Sequence, residues 1–517
     1  MRSRLRWIEG AALAVLIAPA ASLATAQEPL SAVEWLNTLP PEITAISPDL
    51  APDVPLNEPA VTDGATVPEV SVAPLGAVQR DAVGLLPSHV TGLPETLWAA
   101  SDQADVVRRL ARLSPESLPA LQALGYTLLL AEATPPKGAG DDAAFLSARI
   151  AALRRFGAVE PALALLDRAG PQVPSLFDLW FELTLLNDED HRACAALVQD
   201  PALTKDFATR IYCAAKAGDW QMAALTYETA APLNLISPRE KILLAQYLDP
   251  ELIEGQPPLA PSISPTPLEF RLWEAAGTPL PTGQLPRAYA MADLRDVAGW
   301  KAQIEAAERL AASGAIAETR LLQLYTDRRP AASGGVWERA RAVQALDLAL
   351  TAGEDAAVYS ALSAAWEEMQ AAGLEVPFAR MFAEALLPFQ TAEAPALLTR
   401  VLFLSPDYEL AAQNAPESLA FLTGIAQGDV SVALAENATE EAIAQGFTSA
   451  TPGQPSAALL KEGKLGEAIL AALTDLATTR PGETLKLSQA LATLRSVGLE
   501  DTARRTALQL LILDRRG

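Results

Sequence analysis

Residues 215–230 read AKAGDWQMAALTYETA, and this stretch decides the fold. Gly218 is followed at +5 by Ala223, at +9 by Tyr227 and at +12 by Ala230. A glycine after a helical run is the usual left-handed residue that ends a helix. A small alanine one turn into the next helix lets two helices approach closely, and the residue four further on fills the groove beside it. The stretch therefore predicts one helix ending at Gly218, a tight turn, and a second helix packed back on the first.

The same offsets recur. RRFGAVEPALALLDRA (154–169) carries Gly157, Ala162, Leu166 and Ala169. KEGKLGEAILAAL (461–473) carries Gly463, Ala468 and Ala472, and RSVGLEDTARRTAL (495–508) carries Gly498, Ala503 and Ala507. Gly463 and Gly498 lie 35 residues apart, close to the period of a helical-hairpin repeat. The chain resembles the tetratricopeptide-repeat family, whose second helix carries A-x3-F; Ala223 and Tyr227 stand at those places, and Pro174 stands where the family's closing proline follows the hairpin containing Ala162. The resemblance covers about a quarter of the chain and departs from the family pattern at Ile150, Ile211 and Leu491, where a small residue is preferred. It implies a degenerate all-α solenoid, right-handed and irregular, and a binding scaffold rather than an enzyme.

Elsewhere the period is also helical. Trp300, Ile304, Ala307 and Ala311 share one face, as do Val336, Ala340, Val343 and Leu350, and Leu487, Leu491 and Leu494. Hydrophobic residues make up 50% of the chain but aromatics only 6%, a balance that favours packed helices over a β-sandwich. Two proline-dense stretches interrupt the helical pattern. Residues 27–95 read as an extended, disordered arm, a spacer or a docking tether, whose last apolar part lies along the folded body. Residues 254–290 read as a loop or linker between an N-terminal array (96–253) and a C-terminal array (291–517).

The first 26 residues give an address. Arg2, Arg4 and Arg6 precede the apolar run Ala11–Leu23, and Ala24-Thr25-Ala26 forms a small-x-small cleavage site. The run is too short to span a bilayer, and Pro19 breaks it. We expect a cleaved signal peptide, a periplasmic or secreted mature chain, and no integral membrane segment after cleavage. Removing three Arg and one Glu takes the formal charge from −24 to about −26. Such a charge repels phosphate backbones and anionic lipid, so no nucleic-acid partner is expected.

Candidate chemistry is sparse. Cys194 and Cys213 flank a turn near Ala202, and in an exported chain a disulfide between them is the leading expectation; two buried thiols are the alternative. The only imidazoles are His89, in the arm, and His191, which ends the acidic turn NDEDH. Asp188, Glu189 and Asp190 lack calcium-loop spacing and read as a solvated turn ahead of a helix. Gly334 and Gly335 before a helix read as an ordinary turn rather than an anion site. The chain contains no nucleophile elbow, phosphate loop or zinc-protease motif, so no catalytic residue, metal or cofactor is expected. The expected function is a scaffold for protein partners in a cell-envelope complex serving division, outer-membrane assembly, motility or secretion. The rival expectation is a peptidoglycan-remodelling protein with a superhelical domain like that of lytic transglycosylases, although 496–517 continues the hairpin pattern where a lysozyme-like module would follow.

Overall fold

The computed structural model describes residues 79–253, 259–431, 434–449 and 451–513. The signal segment and residues 27–78 of the arm lie outside the described residues. The described residues are helical throughout, without a strand; the extended pairing consists of two isolated bridges, Leu86 with Ala131 and Asp102 with Lys137.

The four glycines singled out in the sequence all adopt the left-handed conformation, with φ of +85° at Gly157 and Gly218, +74° at Gly463 and +84° at Gly498. Each closes its helix with the same two bonds. Gly218 N–H donates to Ala215 O at 2.9 Å, and Asp219 N–H donates five residues back to Ala214 O at 2.9 Å. These bonds satisfy carbonyls that the helix end leaves free and turn the chain within two residues. The following helix then returns along the first. Ala162, Ala223, Ala468 and Ala503 are all fully buried at 0% exposure, as the close approach of paired helices requires. The same closure occurs at Gly277, Gly314, Gly373 and Gly428, which the repeat pattern did not mark. After Gly373 the +5 position is Phe378, buried, so the hairpin is the same while its packing residue is large.

The last apolar part of the arm lies along the folded body as expected, whereas the linker reading needs correction. Residues 79–95 belong to the body: the Asp81 carboxylate accepts Leu146 N–H at 2.7 Å, and Leu85 and Leu86 donate to Leu130 O at 2.8 and 3.0 Å. Buried Arg149 clasps this segment, donating to Val83 O at 2.6 Å, Leu129 O at 2.7 Å and Ala131 O at 3.0 Å. Burial lowers the Arg149 guanidinium to about 10, so three carbonyl acceptors hold a cation that Asp81 also supports. Residues 259–290 are no linker. Pro267 opens the helix Pro267–Ala275, where a proline lacks no needed N–H, and Thr266 caps it through Glu269 N–H at 3.1 Å. That helix buries Phe270, Leu272 and Trp273, and the buried Tyr289 hydroxyl donates to Pro265 O at 2.5 Å.

The described residues from 79 onward form one compact unit. Its beginning packs on its end. Gly466 N–H donates to Leu97 O at 3.2 Å, Arg109 Nε to the buried Glu467 Oε2 at 2.9 Å, and Ala120 N–H to Gln509 Oε1 at 2.9 Å. Ser313 Oγ donates to Phe156 O at 2.7 Å, tying the middle of the chain to its first hairpin. Gly466 is indispensable to this join, because a Cβ there would lie 2.3 Å from the Trp98 ring. Gly466→Ala is therefore expected to destabilise the fold by roughly 1–3 kcal/mol through overpacking, read as a lower urea midpoint with unchanged slope.

Candidate functional site

The region around the opening stretch is built from three helices, Asp190–Gln199, Phe207–Lys216 and Trp220–Ala230. Asp206 caps the second, accepting from Ala208 and Thr209 N–H at 3.1 Å each, and Asp219 caps the third through Met222 N–H at 3.0 Å. Cys194 on the first helix and Cys213 on the second are joined, with Cα atoms 4.8 Å apart and both residues buried.

Beside the disulfide lies a buried charge junction. Asp190 accepts from the Tyr212 hydroxyl at 2.7 Å and pairs with Lys216 Nζ at 3.0 Å, while Arg271 stands 3.9 Å away. Burial opposes ionisation of Asp190, but Tyr212, Lys216 and Arg271 outweigh it and hold the carboxyl below its ordinary value. Arg271 also binds Asp188 directly and Glu274 at 2.6 Å, and Arg295 joins Glu274. The turn NDEDH is thus not a solvated loop. Its acids bind cations from the Pro267–Ala275 helix and beyond, so Asp188 and Asp190 stitch residues some 80 positions apart in sequence. No local pattern points to this junction, since its central cation, Arg271, lies in the stretch read as a linker. Phe181, Tyr212, Tyr247 and Trp220 continue the junction as successive ring contacts of 6.1, 5.5 and 6.0 Å.

On the other side of the Phe207–Lys216 helix lies a trough enclosing about 720 Å³. Its floor is Phe207, Ala214 and Ala217 with the edge of Cys213; Leu197 and Val198 form one wall, and Met222, Leu225 and Thr229 form the other. Arg210 lines it too, its guanidinium 5.3 Å from the Phe207 ring and bonded to the Pro201 and Thr204 carbonyls. The Trp220–Ala230 helix has two apolar stripes. One, through Ala223 and Ala230, is buried against the body; the other leaves Met222 52% and Leu225 63% exposed. A helix with two such stripes presents one to something other than its own hairpin partner.

His191 and His89 are exposed, and no group of three or more His, Cys, Asp or Glu among the described residues could hold a metal. Gly334 N–H is bonded by the Glu338 carboxylate at 3.2 Å, which uses the amide an anion would need. Among the described residues no helix is long and apolar enough to cross a membrane. No protein-family model, curated protein or solved structure matches the chain.

Two outcomes follow from this geometry. Replacing both cysteines by alanine is expected to lower stability by about 3 kcal/mol in denaturant titration, because the disulfide closes a loop of some twenty residues. Intact mass without reductant should be two hydrogens below the fully reduced value. Asp190, with its folded carboxyl below the ordinary value near 3.9, contributes stability above that pH that is lost as pH falls through the folded value. Asp190→Asn is expected to flatten the acid limb of a stability–pH curve relative to the parent, with a lower plateau at neutral pH.

Proposed function

We propose that the mature chain is a non-enzymatic scaffold of the periplasm or extracellular space, an irregular right-handed α-solenoid of tetratricopeptide-like hairpins that holds protein partners of a cell-envelope complex. The observation that carries this reading is the trough. Among the described residues, six of the thirteen large hydrophobics that stand exposed, Val198, Trp220, Met222, Leu225, Leu233 and Leu235, fall between positions 198 and 235, and Val198, Met222 and Leu225 line the trough itself. Single exposed apolar residues are ordinary, but such a concentration around a groove marks an interaction surface. The groove chemistry suits a protein segment: a floor of Phe207 and two alanines, walls of Leu, Val and Met, and the Asp219 carboxylate at the edge. Methionine at such a wall adapts its shape to what it binds.

The signal-like first 26 residues and the joined cysteines support export, because disulfides persist in oxidising compartments. The repeated glycine closure supports a hairpin array, and the acidic composition supports a protein rather than nucleic acid as the partner.

The test is photocrosslinking in living cells with the reactive residue placed at Met222 or Leu225, and at Leu348, exposed elsewhere on the body, as the control. The expected outcome is one stoichiometric envelope partner captured from 222 and 225 and not from 348. Leu225→Glu should reduce that capture about tenfold or more while the melting temperature holds, as loss of a central apolar contact does. Capture equal at all three sites, or of nothing, would overturn the reading and bring peptidoglycan-turnover assays forward.

A further inference from the structure

A second concavity, independent of the trough, lies near the other end of the chain. It encloses about 460 Å³ between the last turn of the Leu465–Thr478 helix, the first turns of the Thr484–Ser496 helix and the 453–456 segment. This lies within the range of small-molecule sites, roughly 300–1,000 Å³. Its lining is polar where such sites are commonly apolar: Gln454, Asp475, Lys486, Gln489 and Thr493 all face it.

The hydrogen-bond inventory shows what this pocket lacks. Lys486 Nζ donates to Thr478 Oγ1 at 2.8 Å and stands 3.9 Å from Asp475 Oδ1 and 4.0 Å from Glu483 Oε2. The Asp475 carboxylate therefore receives no hydrogen bond from the described residues, although it is partly buried. Burial pushes its carboxyl above the ordinary value, and Lys486 only partly offsets this. The side-chain amides of Gln454 and Gln489 also have no hydrogen-bond partner among the described residues. Gly453 leaves room for the Gln489 side chain, since a Cβ there would come within 2.7 Å of it. Leu485, 67% exposed, supplies an apolar surface at the rim.

A ligand that satisfies this set must bring a donor, preferably cationic, to Asp475 and groups that both donate and accept to the two amides. It must also be small, and must present a C–H face to Leu485. A phosphorylated or carboxylated ligand would meet two carboxylates, Asp475 and Glu483, against the single cation of Lys486, which those carboxylates already engage. A neutral polyol would leave the carboxylate without a cation closer than 3.9 Å. We propose that this pocket binds an amino sugar, with the ammonium on Asp475, ring hydroxyls on Gln454 and Gln489, and the C–H face on Leu485.

Saturation-transfer NMR on the full exported chain tests this with glucosamine, glucose and 1,4-diaminobutane as probes at millimolar concentration. Glucosamine is expected to receive saturation, with glucose at least tenfold weaker. Asp475→Asn should reduce the glucosamine affinity at least tenfold and bring it level with glucose. Gln454→Ala, a change at an exposed loop position, should weaken both sugars while leaving the melting temperature unchanged. Absence of transfer to glucosamine overturns the proposal. So does glucose binding as tightly as glucosamine, or diaminobutane binding as tightly as glucosamine, which would reduce the site to an ammonium contact. None of these results bears on capture at the trough, so the two readings stand or fall separately.

Discussion

Helical hairpins stacked in a row leave an apolar face uncovered at each end, and this chain covers both faces with each other. In an open array each repeat touches only its neighbours, and terminal units need polar outer faces. Here the segment around Leu97 and Trp98 and the helix Pro119–Leu130 meet the helices Leu465–Thr478 and Glu500–Ile512. The join is made by shape as much as by bonds: Trp98, almost wholly buried, lies against Gly466, the residue beside it being Glu467 in its ion pair with Arg109. Removing one partner of a buried pair strands the other charge, so this contact holds register as well as position. Among the described residues, the helices Leu465–Thr478 and Glu500–Ile512 cover the apolar side of the segment around Trp98 and of the helix Pro119–Leu130.

Burial is then uneven in a way that matters. The Leu465–Thr478 and Thr484–Ser496 helices are buried along most of their length, whereas Trp220–Ala230 buries only Ala223 and Ala230. Elements with few buried apolar contacts open at lower free energy than the whole, and binding sites are drawn from them. The disulfide and the Asp190 junction secure the two helices beneath this weakly held third one. The trough therefore has a fixed floor and one compliant wall, an arrangement that lets Met222 and Leu225 adjust without disturbing Ala214.

Legibility in the sequence followed the range of the interaction. The glycine closures at 157, 218, 463 and 498 and the buried alanines after them are local, set by offsets of a few residues, and they were read directly. Gly373 went unmarked because its packing partner is Phe378 rather than alanine, although its backbone closure is the same. What could not be read was long-range. Nothing near Asp190 indicates Arg271, nothing near Gly466 indicates Trp98, and the prolines of 259–290 look like breaks because proline at the first turn of a helix and proline in a loop are the same letter. The trough is half legible: the offsets mark Ala223, Tyr227 and Ala230 as the packing face, but the second stripe at Met222 and Leu225 shows its meaning only once Ala223 and Ala230 are seen to be buried.

The charge of the chain also changes meaning in three dimensions. Much of its positive charge is engaged internally. Arg149, Arg155, Arg309 and Arg495 direct their guanidinium groups to backbone carbonyls at Val83, Leu110, Thr282 and Gly446, so these cations close loops and helix ends. Burial lowers the first three from their ordinary value, which marks how far they are withdrawn from solvent. Many carboxylates remain outward at helix starts, among them Asp206, Asp219 and Glu440, where the helix dipole favours them. The acidic balance of the chain is therefore carried largely by carboxylates at its surface. On the scaffold reading proposed above, an apolar trough set in an acidic surface would discriminate in two stages: the negative charge would turn away anionic lipid and nucleic acid at a distance, and the walls at Leu197 and Leu225 would then select a segment by fit.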